Sequence, residues 1–255
     1  MTEVNCALSG STAVLTLCNA GKLNALTTAM LSQLDGHLIA LERNPDVRGV
    51  ILTGDGSKAF CCGADIAEWG PLSPAEFARY WVRDGHRVFD RLARLSKPTV
   101  AAINGHAFGG GLELAAACDI RVMSTRATLA LPEARVGIVP GWSGTQRLCR
   151  LLPEPTVKEM ALFGRRISAE RAYALGFAAA VVEDTVTEAR AISDTLTELS
   201  PRAGELAKAM IHAAMGEDRA AAVEMLGSAA AAATLDRAEG VAAFLEKRNA
   251  DFAGD

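Results

Sequence analysis

Apolar positions along this chain follow two rhythms that give way to each other near residue 144. Residues 4–8 and 13–17 alternate around Ser9–Ser11, which predicts two strands joined as a hairpin. From 28 to 43, Met30, Leu34, Leu38 and Leu41 recur at helical spacing. Residues 49–53 (GVILT) form a continuous apolar run of the kind buried on both faces, ended by the turn glycines Gly54 and Gly56. An amphipathic stretch at about 74–95 leads to a second such run, 99–103, and 120–123 and 127–131 read as short strands. Strands alternating with helices predict an α/β protein.

After residue 144 helical spacing dominates, over 144–151, 156–162, 168–175, 187–199, 201–215 and 219–246, the last broken near Thr234. The final 55 residues are rich in alanine, notably 229–233, and small residues let helices approach closely. A helical appendage packed on its own subunit or on a neighbour is the natural reading.

Half of the 255 residues are hydrophobic, enough for one large domain with a sizeable core. A net charge of -4 argues against general attraction to nucleic acid or to an anionic membrane. No run of about 18 apolar residues is present, and residues 1–11 lack the basic-then-apolar layout of a signal peptide, so neither nucleic-acid nor membrane partners are expected. Cys6, Cys18, Cys61, Cys62, Cys118 and Cys149 make no CxxC pair and read as core thiols of a reducing, cytoplasmic compartment. His37, His86, His106 and His212 are scattered without ligand spacing, so no metal is expected.

The chemistry concentrates in residues 104–119, NGHAFGGGLELAAACD. A strand feeds three glycines, Gly109–Gly111, and a helix carrying Glu113 leaves from them. Glycine permits close backbone approach, and the first N–H groups of a helix are free and positive. A lone acid there suits proton transfer better than packing. Other readings fit less well. A P-loop needs lysine where Gly111 stands, and a nucleophile elbow around Trp142-Ser143-Gly144 needs glycine at Thr145. Adjacent Cys61 and Cys62 read as inert, and Asp65 as a loop-shaping side chain. Taken alone, Glu113 would fit a solvated helix face and Glu133, after Pro132, a helix start.

Asn24-Ala-Leu, Ala59-Phe-Cys-Cys-Gly-Ala-Asp-Ile66, Gly109-Gly-Gly-Leu-Glu-Leu114, Leu131-Pro-Glu-Ala-Arg135 and Gly137-Ile-Val-Pro-Gly-Trp-Ser-Gly-Thr-Gln-Arg147 occur in that order, with Glu239-Gly-Val-Ala-Ala-Phe-Leu-Glu-Lys-Arg248 near the end. In this combination the chain resembles the enoyl-CoA hydratase/isomerase (crotonase) superfamily over essentially its whole length. The resemblance implies an α/β spiral of ββα units over 1–195 with the CoA-thioester site. It implies a helical region over 196–255 that forms trimers or hexamers and covers the active site. The backbone N–H groups of Ala64 and Gly110 would form an oxyanion hole, with Glu113 and Glu133 as the two acids. The acyl-CoA would be held by Lys22, Asn24, Ala25, Ala64, Asp65, Ile66, Gly109, Gly110, Gly141, Trp142, Phe244 and Lys247.

The implied reaction is reversible addition of water to a trans-2-enoyl-CoA, giving a 3-hydroxyacyl-CoA without metal or other cofactor, coenzyme A being part of the substrate. Two acids favour hydration over isomerisation, which in this family typically keeps one. The rival readings are an isomerase, decarboxylase, C–C lyase or thioesterase on the same scaffold, and a non-catalytic CoA- or RNA-binding relative. Three departures from the family pattern stand out: Ala67 in place of a basic residue, a first loop (18–22) without Arg-Pro, and bulky Trp142 where small residues are common. Trp142 would either shorten the acyl pocket or face the core or a subunit interface.

Overall fold

The computed structural model describes residues 2–254. Strands β1 (Glu3–Ser9) and β2 (Thr12–Cys18) form the expected hairpin, and helix α1 (Thr28–Arg43) follows, its first turn capped by the Thr27 hydroxyl, which accepts from Met30 N–H. The chain then repeats one path: a strand in a main sheet, a strand in a second sheet, then helix. The first turn of this spiral holds β3 (Gly49–Gly54), β4 (Ala59–Cys61), α2 (Ile66–Trp69), α3 (Pro74–Glu76) and α4 (Arg83–Arg94). The next holds β5 (Thr99–Ile103), β6 (His106–Phe108) and α5 (Gly110–Ala116). The third holds β7 (Ile120–Ser124), β8 (Thr128–Ala130), a 3-10 turn at Glu133–Val136, α6 (Gly144–Leu151) and α7 (Glu154–Phe163). β9 (Ile167–Ser168), α8 (Ala169–Ala174), β10 (Ala180–Val182) and α9 (Thr185–Asp194) complete it.

The main sheet runs β1-β2-β3-β5-β7-β10 and is parallel apart from β1; the second runs β4-β6-β8-β9 and is parallel apart from β9. Alternate residues of the main strands serve two cores. Val50, Leu52, Ala101 and Ile103 join the large core with Leu34, Leu38 and Phe89, whereas Ile51, Val100 and Val122 pack with Ala189 of α9. Burial on both faces is why these strands read as unbroken apolar runs.

The predicted helix over 74–95 differs from what forms. Between α3 and α4 the residues Phe77–Val82 make a π-helical turn, and the Trp81 carbonyl accepts a hydrogen bond from the Trp142 indole N–H at 3.3 Å. Single π turns inside helices recur at functional sites. The short strands β4, β6, β9 and β10 have too few residues to show alternation and exist through their neighbours.

The chain forms two compact units, one through Gly204 and one from Glu205. The second contains α11 (Arg219–Ala232) and α12 (Leu235–Glu246), following α10 (Pro201–Ala214), which begins in the first unit. The expected break at Thr234 is the α12 cap, where its hydroxyl accepts from Arg237 N–H. Among the described residues, no helix is long and apolar enough to cross a membrane.

One loop fixes the site's floor. Asn24, left-handed and fully buried, accepts from Asn19 N–H at 3.0 Å and donates to the carbonyls of Asp55 and Ala59, each at 2.9 Å. Just beyond it, Leu26 N–H donates to Gly63 O and Asp65 N–H to Leu26 O, both at 2.8 Å, which clamps Ala64 between them. Asn24→Ala removes the side-chain partner of three backbone groups, those of Asn19 and Ala59 in buried bonds, and is expected to cost about 3 kcal/mol. Urea unfolding checks this through a lower midpoint with an unchanged slope.

Candidate active site

The glycine stretch begins with Gly109, at φ 50°, a left-handed backbone that suits glycine. This turns the chain from β6 into α5 and brings the backbone of Gly110 against Gly63: a Cβ on Gly63 would lie 3.5 Å from Gly110 N. Ala64 follows Gly63, so the N–H groups of Ala64 and Gly110 sit at the junction of β4 and β6. Neither has a backbone acceptor among the described residues.

Glu113 lies one turn into α5 and is 3 % exposed. Its Oε1 accepts from Trp142 N–H at 2.8 Å and Gly144 N–H at 2.7 Å. Ser143, between those donors, is left-handed at φ 75°, which turns both N–H groups to one side as in an anion-binding nest. The strain of that conformation in a non-glycine residue is held by neighbours. Ser143 Oγ bonds the ring of His86 (3.1 Å to Nδ1), Arg147 N–H donates to Ser143 O, and Arg147 and His86 both pair with Asp90. Gly144 also has to lack a side chain, since a Cβ there would stand 2.6 Å from the Glu113 carboxylate. Burial pushes the Glu113 carboxyl up from the ordinary carboxylate range, and the amide hydrogens of Trp142, Gly144 and Gly141 pull it back.

Glu133 opens the 3-10 turn after β8 and is 8 % exposed. Its Oε2 is buried without a hydrogen-bond partner among the described residues. Burial, together with repulsion from Glu113, pushes its carboxyl up to about 7, against a weaker pull from its own N–H. Both acids are therefore raised by burial, but one is gripped by amide hydrogens that favour its charged form and the other is left nearly bare, so their surroundings differ although their side chains do not.

Both acids line one cavity of about 270 Å3, together with Ala64, Ile66, Gly109, Gly110, Gly141 and Trp142. All three tryptophans of the chain, Trp69, Trp81 and Trp142, are in its wall, beside Phe77 and Val82. Exposed Ile66, Val136 and Val139 give it an apolar rim.

A family model described as enoyl-CoA hydratase/isomerase matches residues 8–255. The chain belongs to the enoyl-CoA hydratase/isomerase family. Among its relatives is a short-chain-enoyl-CoA hydratase of Clostridium acetobutylicum, 37 % identical, with 94 % of this chain and 93 % of the relative covered. The mitochondrial enoyl-CoA hydratase of Pongo abelii is 38 % identical, over 90 % of this chain and 79 % of its own. The crystal structure of an enoyl-CoA hydratase from Bacillus anthracis superposes with a TM-score of 0.81 at 34 % identity, covering 99 % of both chains.

For this family member the remaining site expectations divide. Asn24 does not reach the cavity: it is fully buried and its side chain is taken up by backbone bonds, so its contribution is to the loop that carries Ala64. Ala25 and Asp65 are outside the cavity wall; Asp65 caps α2 by accepting from Ala67 N–H, as a loop-shaping residue does, and accepts from Lys22 Nζ at 2.6 Å. That bond and the ion pair hold the Asp65 carboxyl below its usual range. Lys22 is 58 % exposed in its side chain and stays open to solvent beyond Asp65. Phe244 lies in the last turn of α12 as an exposed side chain and Lys247 is the helix's left-handed cap, both in the second unit. Trp142 meets both sequence alternatives, since it lines the cavity and is 3 % exposed against Trp81 and Phe89. Sequence reading missed Trp69, Phe77 and Trp81, which fall in no motif; the gathering of every tryptophan in one wall becomes visible only in the fold. Burial lifts the Cys61 thiol to about 12 and the cavity-lining Cys62 thiol to about 11, which makes both inert at neutral pH.

The raised Glu133 carboxyl has a consequence for stability. Between the ordinary value of 4.5 and about 7 the folded protein holds a proton that the unfolded chain has released, so stability falls as pH rises through that window. Glu133→Gln carries no such penalty. It is expected to unfold at higher urea than the parent at pH 8, by on the order of 2–3 kcal/mol, with the difference fading towards pH 5. Denaturation at the two pH values checks this.

Proposed function

We propose that the protein is an enoyl-CoA hydratase, adding water across the double bond of a trans-2-enoyl-CoA to give a 3-hydroxyacyl-CoA. The observation that carries this reading is the pairing of two buried, unequal carboxyls with two unclaimed N–H groups in one apolar cavity. The thioester oxygen accepts from Ala64 and Gly110 N–H, where charge accumulates as the π electrons shift towards the carbonyl. Glu113, pinned through one oxygen, takes a proton from water as the water oxygen bonds C3. Glu133, the acid that holds its proton near neutrality, delivers it to C2. The water's two hydrogens and oxygen are then accounted for once the proton on Glu113 passes back to Glu133.

The relatives' names support an acyl-CoA substrate, and a reaction of this kind needs no cofactor beyond the CoA moiety. Lys22, Lys247 and the 196–255 helices belong to this proposal as phosphate contacts and as the oligomerisation region of a trimer or hexamer. Six free thiols suit a cytoplasmic setting.

Hydration of crotonyl-CoA, followed as loss of enoyl-thioester absorbance, tests the reading. Glu113→Gln and Glu133→Gln are each expected to lower kcat by about 10²–10⁴-fold. In the parent, kcat/KM should decline above about pH 7 as Glu133 loses its proton. Wild-type hydration by the folded Glu133→Gln protein would remove that residue from the chemistry.

A further inference from the structure

The cavity has a second side. Trp142 lies in a slot that only glycines leave open. A Cβ on Gly85 of α4 would stand 2.3 Å from its Nε1, and a Cβ on Gly110 would stand 2.7 Å from Cε3 and Cζ3. The indole therefore rests directly on the backbone of Gly110 and bonds the Trp81 carbonyl, with the Trp81 ring 5.3 Å away, centroid to centroid. Phe89 meets the same indole edge-on at 5.1 Å.

Trp81 is 6 % exposed and lines two spaces at once. One is the catalytic cavity. The other is a larger groove of about 610 Å3 between α1 and α4, with Leu31 and Leu72 among charged Asp35, Asp84, Arg87 and Arg91. No other residue lines both. Trp81 is thus the partition between them, and the π-helical turn aims it there while Trp142 locks its backbone.

We propose that Trp81, held by Trp142, is the end wall of the acyl site and restricts this enzyme to short enoyl groups. Gly110 and Trp81 line the same cavity and touch opposite sides of one indole, Trp142, so an acyl chain leaving an oxygen bound at Gly110 runs along Trp142 towards Trp81. Beyond the wall lie charges that an apolar tail would have to desolvate. This inference rests on the enoyl-CoA reading and names the substrate class within it.

The test measures kcat/KM for trans-2-enoyl-CoA thioesters of four, six, eight and ten carbons in the wild type, Trp81→Ala and Trp81→Leu. The wild type is expected to favour the four-carbon ester over the ten-carbon one by at least about 100-fold, the scale a closed apolar pocket achieves against surplus methylenes. Trp81→Ala should narrow that ratio by at least about tenfold, mainly through KM for the longer esters. Trp81→Leu should fall between, and it keeps the test open if the alanine variant fails to fold. Binding of butyryl-CoA and decanoyl-CoA is measured by calorimetry alongside, because it does not depend on turnover. If no enoyl ester is hydrated but butyryl-CoA outbinds decanoyl-CoA until Trp81 is cut back, the hydratase reading fails and the wall stands. If the wild type hydrates four- and ten-carbon esters equally well, or the folded variants leave the ratio unmoved, the wall is overturned while the hydratase reading survives.

Discussion

Two amide hydrogens on one carboxylate oxygen form the fixed point of this molecule. Glu113 sits in α5, whose position is set by the glycine turn from β6, and its donors come from the segment that leads into α6 in the third spiral turn. Joining them requires a left-handed Ser143, a bare Gly144, and the His86–Asp90–Arg147 network behind the turn. The same turn presents Trp142 to Gly110, so the clamp that orients an acid also supports the backbone N–H proposed as an oxyanion donor and packs the cavity wall. A site this interlocked costs conformational freedom, which the two-sided burial of the main sheet offsets.

That clamp also explains the asymmetry between the acids. Both are buried and both would prefer to be neutral. Amide hydrogens favour the charged form of Glu113, while Glu133 has little beyond its own N–H and faces a negative neighbour. Identical side chains are thereby given different tasks by what surrounds them, with no change of chemistry in the chain itself.

Much of this was legible before folding. The strands at 49–53 and 99–103 and the helices at 28–43 and 144–151 followed from apolar spacing because their burial is regular. The acids and the N–H donors followed from motif resemblance, since short-range order around glycines and prolines is fixed locally. The acyl wall was not legible. Trp69, Phe77 and Trp81 come from a segment where a π turn breaks helical periodicity, and that turn depends on a contact with Trp142 some 60 residues on. Asn24 shows what a motif alone does not tell: its side chain is taken up by the backbone of the loop that carries Ala64, away from the cavity wall.

The proposed chemistry adds water, and not merely a proton, across the double bond between this pair of acids. The most direct measurement is conversion of crotonyl-CoA in deuterium oxide with product analysis by NMR. Hydration by this pair yields 3-hydroxybutyryl-CoA with one solvent deuterium at C2, delivered to one face. A double bond shifted to C3–C4 with solvent deuterium at C2 and no hydroxyl at C3, or recovered crotonyl-CoA from a folded, CoA-ester-binding protein, would contradict it.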